Sequence, residues 1–99
     1  MAYTTTNIFS RPDTSINWYV RSSDVLNHLK TTFGHQRTNT SFSSTESADG
    51  LTLTQVSVFI NQAAHTAFME DSVMTTFVNE RTRYNINNGI ERSFSAEES

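Results

Sequence analysis

The sequence contains no cysteine, which excludes disulfides and thiolate-held metal centres. Lys30 is its only lysine, and its six arginines are scattered, Arg81 and Arg83 forming the one close pair. With a formal net charge of −3, the chain lacks the clustered basic face that nucleic acid binding requires. No apolar run is long enough to cross a bilayer. The opening Met1-Ala2-Tyr3-Thr4-Thr5-Thr6 has no basic-then-apolar signal segment. The expectation is a soluble protein made inside a cell, with no nucleic acid and no membrane partner. Glycine is scarce as well. Gly34, Gly50 and Gly89 each fall at a turn or helix end, which leaves none for a phosphate-cradling loop.

Ninety-nine residues make a single domain, near the lower size limit for a self-sufficient core. Hydrophobic residues are 35% of the chain, so the core is thin, although seven Phe, three Tyr and one Trp add large buried rings. A thin core predicts help from a partner surface, hence a homo-oligomer or a subunit of a larger assembly. Thr, Ser and Asn together exceed a third of the residues, a composition suited to solvent-facing strand positions, turns and caps.

Along the chain, Tyr3–Ser10 can be extended, and Arg11-Pro12-Asp13-Thr14 punctuates it. Ile16, Trp18 and Val20 alternate with polar or amphipathic neighbours and predict the first core strand. Residues 1–13 then read as an N-terminal extension or an edge strand. Ser22-Ser23-Asp24 starts a helix whose apolar residues Val25, Leu26, Leu29 and Phe33 share a face, with Gly34 as its C-terminal cap. Residues 37–45, Thr-rich with Phe42, predict a strand near an edge. Ser47-Ala48-Asp49-Gly50 is a hairpin turn. Leu51–Ile60 is the clearest strand, with Val56, Val58 and Ile60 on one face and Leu51, Leu53 and Phe59 on the other.

Asn61 caps a short helix that begins at Gln62. Asp71 is a fresh N-cap producing a kink, and a longer helix carries the stripe Val73, Met74, Phe77, Val78, Arg81 and Tyr84. Gly89 stops it, Ile90–Ser95 forms the last strand, and residues 96–99 are a solvated acidic tail. The order β-α-β-β-α-β describes an α+β, ferredoxin-like antiparallel sheet with two helices on one face and a short N-terminal extension. The open sheet face is expected to be an interface. Leu51, Leu53 and Phe59 are its candidate residues, and Arg11 and Asp13 are a second contact.

Catalytic signatures are sparse. No H-E-x-x-H, Walker loop or G-x-S-x-G elbow occurs, and no cofactor or metal is expected. The titratable candidates are His28, His35, His65, Asp24, Asp49, Glu70 and Asp71. Asp24 and His28 share a helix face and predict a surface ion pair. Small dimeric ferredoxin-like proteins include cofactor-independent monooxygenases and haem-degrading relatives, some of which use an Asn, a Trp and a His. Asn17, Trp18 and His65 resemble that set in type, and Trp18 with His65 defines the alternative pocket. On one strand, Asn17 and Trp18 would point to opposite faces.

The stretch Asn7-Ile8-Phe9-Ser10-Arg11-Pro12-Asp13-Thr14-Ser15-Ile16-Asn17-Trp18-Tyr19, with Arg83-Tyr84-Asn85-Ile86-Asn87-Asn88-Gly89-Ile90, resembles small uncharacterised proteins of tailed phages that infect marine cyanobacteria. The resemblance covers most of the chain and carries no catalytic motif. It implies a non-enzymatic structural or interaction protein, a small oligomeric virion component with virion proteins as partners. The host cytoplasm or the virion is its place, and no small molecule is expected. The alternatives are a small ferredoxin-like monooxygenase or small-ligand binder, and a phage accessory protein acting on a host factor. A closed pocket between sheet and second helix, holding His65 and an aromatic wall, discriminates in favour of the small-ligand reading.

Overall fold

The β-branched run Tyr3–Ser10 forms strand β1, followed by helix α1 (Ser23–Phe33) and strands β2 (Arg37–Glu46) and β3 (Thr52–Phe59). Helices α2 (Gln62–Glu70) and α3 (Ser72–Asn87) and strand β4 (Glu91–Glu98) complete the chain in this computed structural model, which describes residues 2–33 and 37–98. The strands pair antiparallel in the order β2-β3-β1-β4, the layout expected of a ferredoxin-like α+β domain. Gly34 and His35, expected as a helix cap and a titratable candidate, lie outside the described residues.

The inner position of β1 corrects the strand assignment at the N-terminus. Residues 3–10 are neither an extension nor an edge strand, because β1 is paired on both sides, to β3 and β4. The Ile16–Val20 run, expected from its alternation to be the first core strand, forms no strand. Thr explains the swap. Its branched Cβ suits a pleated backbone as the branched carbons of Ile and Val do, so a threonine-rich segment can form a strand without a run of apolar residues. Thr5 is buried, beside Phe9 on the same face. The acidic tail is likewise absorbed into the sheet: Ala96, Glu97 and Glu98 pair with Thr5, Thr4 and Tyr3, although β4 remains exposed.

Local signals set the remaining boundaries. Ser22 Oγ accepts from the Val25 amide (3.2 Å) at the start of α1. The turn before β3 closes through Asp49 Oδ1, which accepts from Ser47 Oγ (2.6 Å) and the Leu51 amide (3.0 Å). Gly50 there adopts φ +75°, a left-handed conformation that a Cβ disfavours. Asn61 caps α2 through the Ala64 amide (2.8 Å), and the kink falls at Asp71 as the sequence implies. Asp71 ends α2 and caps α3, its Oδ1 accepting from the amides of Val73 (3.0 Å) and Met74 (3.2 Å).

The core sits between the helices and one face of the sheet. Phe9, Phe59, Ala64, Met74, Phe77 and Ile90 are buried, with Phe59 and Met74 nearly sealed from solvent. Burial of each of these Phe, Met and Ile side chains stabilises the fold by about 1.5–3 kcal/mol. Met74 packs against Val25, Phe68 and Val73, which joins α1 and α2 to α3. Phe59 meets Phe68 edge-on at 5.4 Å between ring centroids. The helix-facing assignment of Phe59 corrects the expected interface. Leu53 also lies on this side, in the cleft described below, so the Leu53/Phe59 face is inward. The open face carries Thr54, Val56 and Val58 of β3, flanked by Thr4, Thr6 and Ile8 of β1.

Candidate functional site

The segment between β1 and α1 folds back over one end of the sheet and is held by its side chains. Arg11 donates from Nε to the Gly50 carbonyl (2.7 Å) and from Nη1 to the Ile16 carbonyl (2.7 Å). Its guanidinium lies 4.4 Å over the Trp18 ring and 3.6 Å from Glu46. Trp18 in turn donates its indole N–H to Glu46 (2.8 Å). Arg11 is therefore a clamp within the fold and not an outward contact, which corrects its expected role. Asp13 is used locally too, accepting from the Ser15 amide (2.8 Å) and contacting the Ser15 hydroxyl.

Tyr19 follows the same path inward, its ring 5.9 Å from Phe77 and 5.5 Å from Tyr84. Tyr84 donates its hydroxyl to the Asn17 carbonyl (2.5 Å), tying α3 to this segment. Because the backbone is not a strand, adjacent Trp18 and Tyr19 both border one small cavity of about 20 Å³, with Phe9, Leu53 and Phe77. Asn17 is exposed and contributes its carbonyl, not its side chain, to these contacts.

Next to it opens a cleft of about 290 Å³ between the inward sheet face and helices α2 and α3. Phe59, Phe68, Phe77 and Phe94 give it apolar walls, and Thr5, Asn7, Gln55 and Ser57 supply polar groups from β1 and β3. His65, on α2, projects into it with its ring 5.0 Å from Tyr3, 5.1 Å from Phe59 and 6.4 Å from Phe94. Burial pushes His65 below the ordinary imidazole value, so its neutral form prevails at neutral pH. The two residues of the alternative pocket thus fall in adjoining cavities, which share Arg21, Gln55, Phe77 and Arg81.

Arginines dominate the cleft electrostatically. Arg21, Arg81 and Arg92 all line it, and among the described residues no carboxylate does. Arg81 and Arg21 each place a guanidinium 5.2 Å from the Phe77 ring, and Arg81 is also 5.3 Å from Phe9. Arg92 donates from Nε to Asn7 (2.6 Å) and lies 5.1 Å from the Phe94 ring. Burial, followed by the nearby charges of Arg92 and Arg21, pulls the Arg81 pKa down to about 10, which leaves it cationic at neutral pH. Burial lowers Arg21 and Arg92 as well.

Sequence reasoning placed Arg81 on the apolar stripe of its helix without drawing the consequence. An arginine on a buried stripe was the available signal; that Arg21 and Arg92 meet it was not. The Asp24–His28 ion pair is replaced by a longer-range partner: His28 Nε2 lies 3.0 Å from Asp71 Oδ1, across the α1–α3 contact. Among the described residues, no group of three His, Asp or Glu side chains is placed to hold a metal, and no helix is long and apolar enough to cross a membrane.

No family model and no curated protein sequence matches the chain. Solved structures do share its fold. One is a Deinococcus radiodurans protein provisionally named as an antibiotic biosynthesis monooxygenase, with TM-score 0.58 and 11% identity over 98% of this chain and 91% of that one. Another is a dimeric ferredoxin-like protein from an uncultured marine organism, with TM-score 0.56 and 9% identity over 97% of this chain and 92% of that one. The fold class is therefore ferredoxin-like. The expectation of a non-enzymatic virion component is corrected by these findings: the structural neighbours carry monooxygenase and dimeric ferredoxin-like descriptions, and a cleft opens between the sheet and the helices.

Proposed function

We propose that the chain is a small dimeric monooxygenase of the cofactor-independent kind, acting on an electron-rich aromatic molecule held in the cleft between sheet and helices. The observation that carries this reading is the cavity of about 290 Å³ with His65 and a wall of Phe rings. That volume lies near the lower end of small-molecule pockets, about 300–1,000 Å³. The description borne by the Deinococcus radiodurans structure supports the reaction class. His65, neutral because it is buried, accepts the proton of a phenol or of an acidic ring CH₂, which leaves an electron-rich anion able to reduce dioxygen. The overall change is CH₂ + O₂ → C=O + H₂O. The substrate supplies all four electrons that dioxygen accepts in becoming the carbonyl oxygen and water, so no separate reductant is consumed.

The second subunit covers the open sheet face. Val56, Val58 and Ile8 form the apolar centre of that face among threonines, and the dimeric state named for the marine neighbour supports a dimer as such.

The test is oxygen uptake with a panel of naphthols, followed alongside quinone absorbance. One dioxygen consumed per quinone formed, abolished by a ligand that fills the cleft, supports the proposal. Saturable binding with no oxygen uptake reduces the protein to a ligand binder, and absence of binding overturns the reading.

A further inference from the structure

Resting on the small-ligand reading of the cleft, we infer that its ligand is an aromatic carboxylate, its ring against the Phe wall and its charge on Arg81 with Arg21 and Arg92. The chain carries more acidic than basic residues, 10 against 7, yet among the described residues three arginines and no carboxylate line this one cavity. Arg81 is 8% exposed and its Nε–H is buried with no hydrogen-bond acceptor. Phe9 and Phe77 offer it ring faces at 5.3 and 5.2 Å, which stabilise a cation but accept none of its N–H groups in the plane of the guanidinium.

Leaving such a donor unpaired in a thin core is unfavourable, and like charges beside it add to the cost. An internal carboxylate would remove that cost, and among the described residues none pairs with Arg81. The missing acceptor is therefore supplied from outside. A planar carboxylate suits the fork of a guanidinium, which donates two parallel N–H groups to its two oxygens. The rest of the cleft excludes a bare inorganic anion as the best occupant. Phe59, Phe68 and Phe94 gain nothing from phosphate, whereas a flat ring removes their area from water.

The test is isothermal titration calorimetry of the full chain with 2-naphthoate, 2-naphthamide and inorganic phosphate at low and moderate salt. The expected result is that naphthoate binds at least tenfold more tightly than naphthamide, with phosphate weaker than either. Arg81→Gln should abolish the preference while keeping naphthamide affinity within about twofold. Arg92→Gln, on the exposed edge strand, should weaken naphthoate several-fold and serves where the buried substitution disturbs folding. Equal binding of naphthoate and naphthamide overturns the carboxylate inference but leaves the small-ligand cleft standing. Binding of neither aromatic overturns both. Phosphate binding as tight as naphthoate overturns the aromatic part and leaves a simple anion site.

Discussion

Two side chains in the cleft owe their properties to burial. His65 sits among Tyr3, Phe59 and Phe94, and loss of water penalises its charged form. Its folded pKa lies below the ordinary imidazole value of 6.5, so the unfolded chain binds more protons at this site as pH drops beneath that value. Stability from His65 is thus present above about pH 6.5 and is lost as pH falls toward the depressed folded value. Urea unfolding of the wild type and of His65→Phe at pH 7.5 and 5.5 should show a smaller acid-induced loss in the variant. If His65 is the proton acceptor, His65→Phe should also lower turnover by about 10²-fold or more, and wild-type turnover should fall off at a lower pH than an unburied imidazole would dictate. Arg81 is the opposite case, a cation that stays charged despite burial. Its place on the helix stripe was legible in the sequence, but its company was not, because Arg21, Arg81 and Arg92 come from a connecting segment, a helix and a strand far apart in the chain.

The second helical region shows how one residue divides an element. Asp71 closes α2 and opens α3 by accepting two amides, and its Oδ1 also faces His28 from α1. Desolvation alone would raise its pKa, but the Met74 amide, His28 and the Val73 amide together hold it below the ordinary carboxylate value. With a depressed folded pKa, its contribution is complete above the unfolded value and is lost as pH falls through the folded one. Asp71→Ala removes the cap and should lower Tm by roughly 4–8 °C at neutral pH, measured by calorimetry. The difference from wild type should shrink below about pH 4. Three residues on, within the first turn of α3, the side chain has no such polar role. Met74 is fully buried against Val25, Phe68 and Val73, and Met74→Ala should cost about 2–5 kcal/mol in denaturant unfolding. These caps and stripes were readable beforehand because they depend on neighbours within a turn or two.

For the whole molecule the unresolved balance is between a thin core and a sheet with one covered face. The helices protect Phe9, Phe59 and Phe77, while Ile8, Val56 and Val58 face away from them. A second copy laid on that face would bury the aliphatic centre and the threonines around it. Val56→Arg should shift the mass measured by light scattering from dimer to monomer, with the far-ultraviolet circular dichroism retained. A wild type that is monomeric at micromolar concentration would remove the dimer from the proposal. The same scale explains why Leu53 and Phe59 were first assigned to the wrong side. Alternation separates the two faces of β3, but both carry apolar residues, so only the position of the helices says which is inside.

The element order, the Asp49-Gly50 turn, the break at Asp71 and the stop at Gly89 were determined by the sequence alone, since caps, turns and periodicity act over a few residues. Tertiary structure decided that Tyr3–Ser10, and not the Ile16–Val20 run, supplies an inner strand. A threonine-rich segment gains its stability from pairing on both sides, and local hydrophobicity does not report that. It also decided that three arginines spread from position 21 to 92 share one apolar cleft without a carboxylate. Charge convergence of that kind depends on strand order and helix placement, which is why the candidate site became visible only in the folded chain.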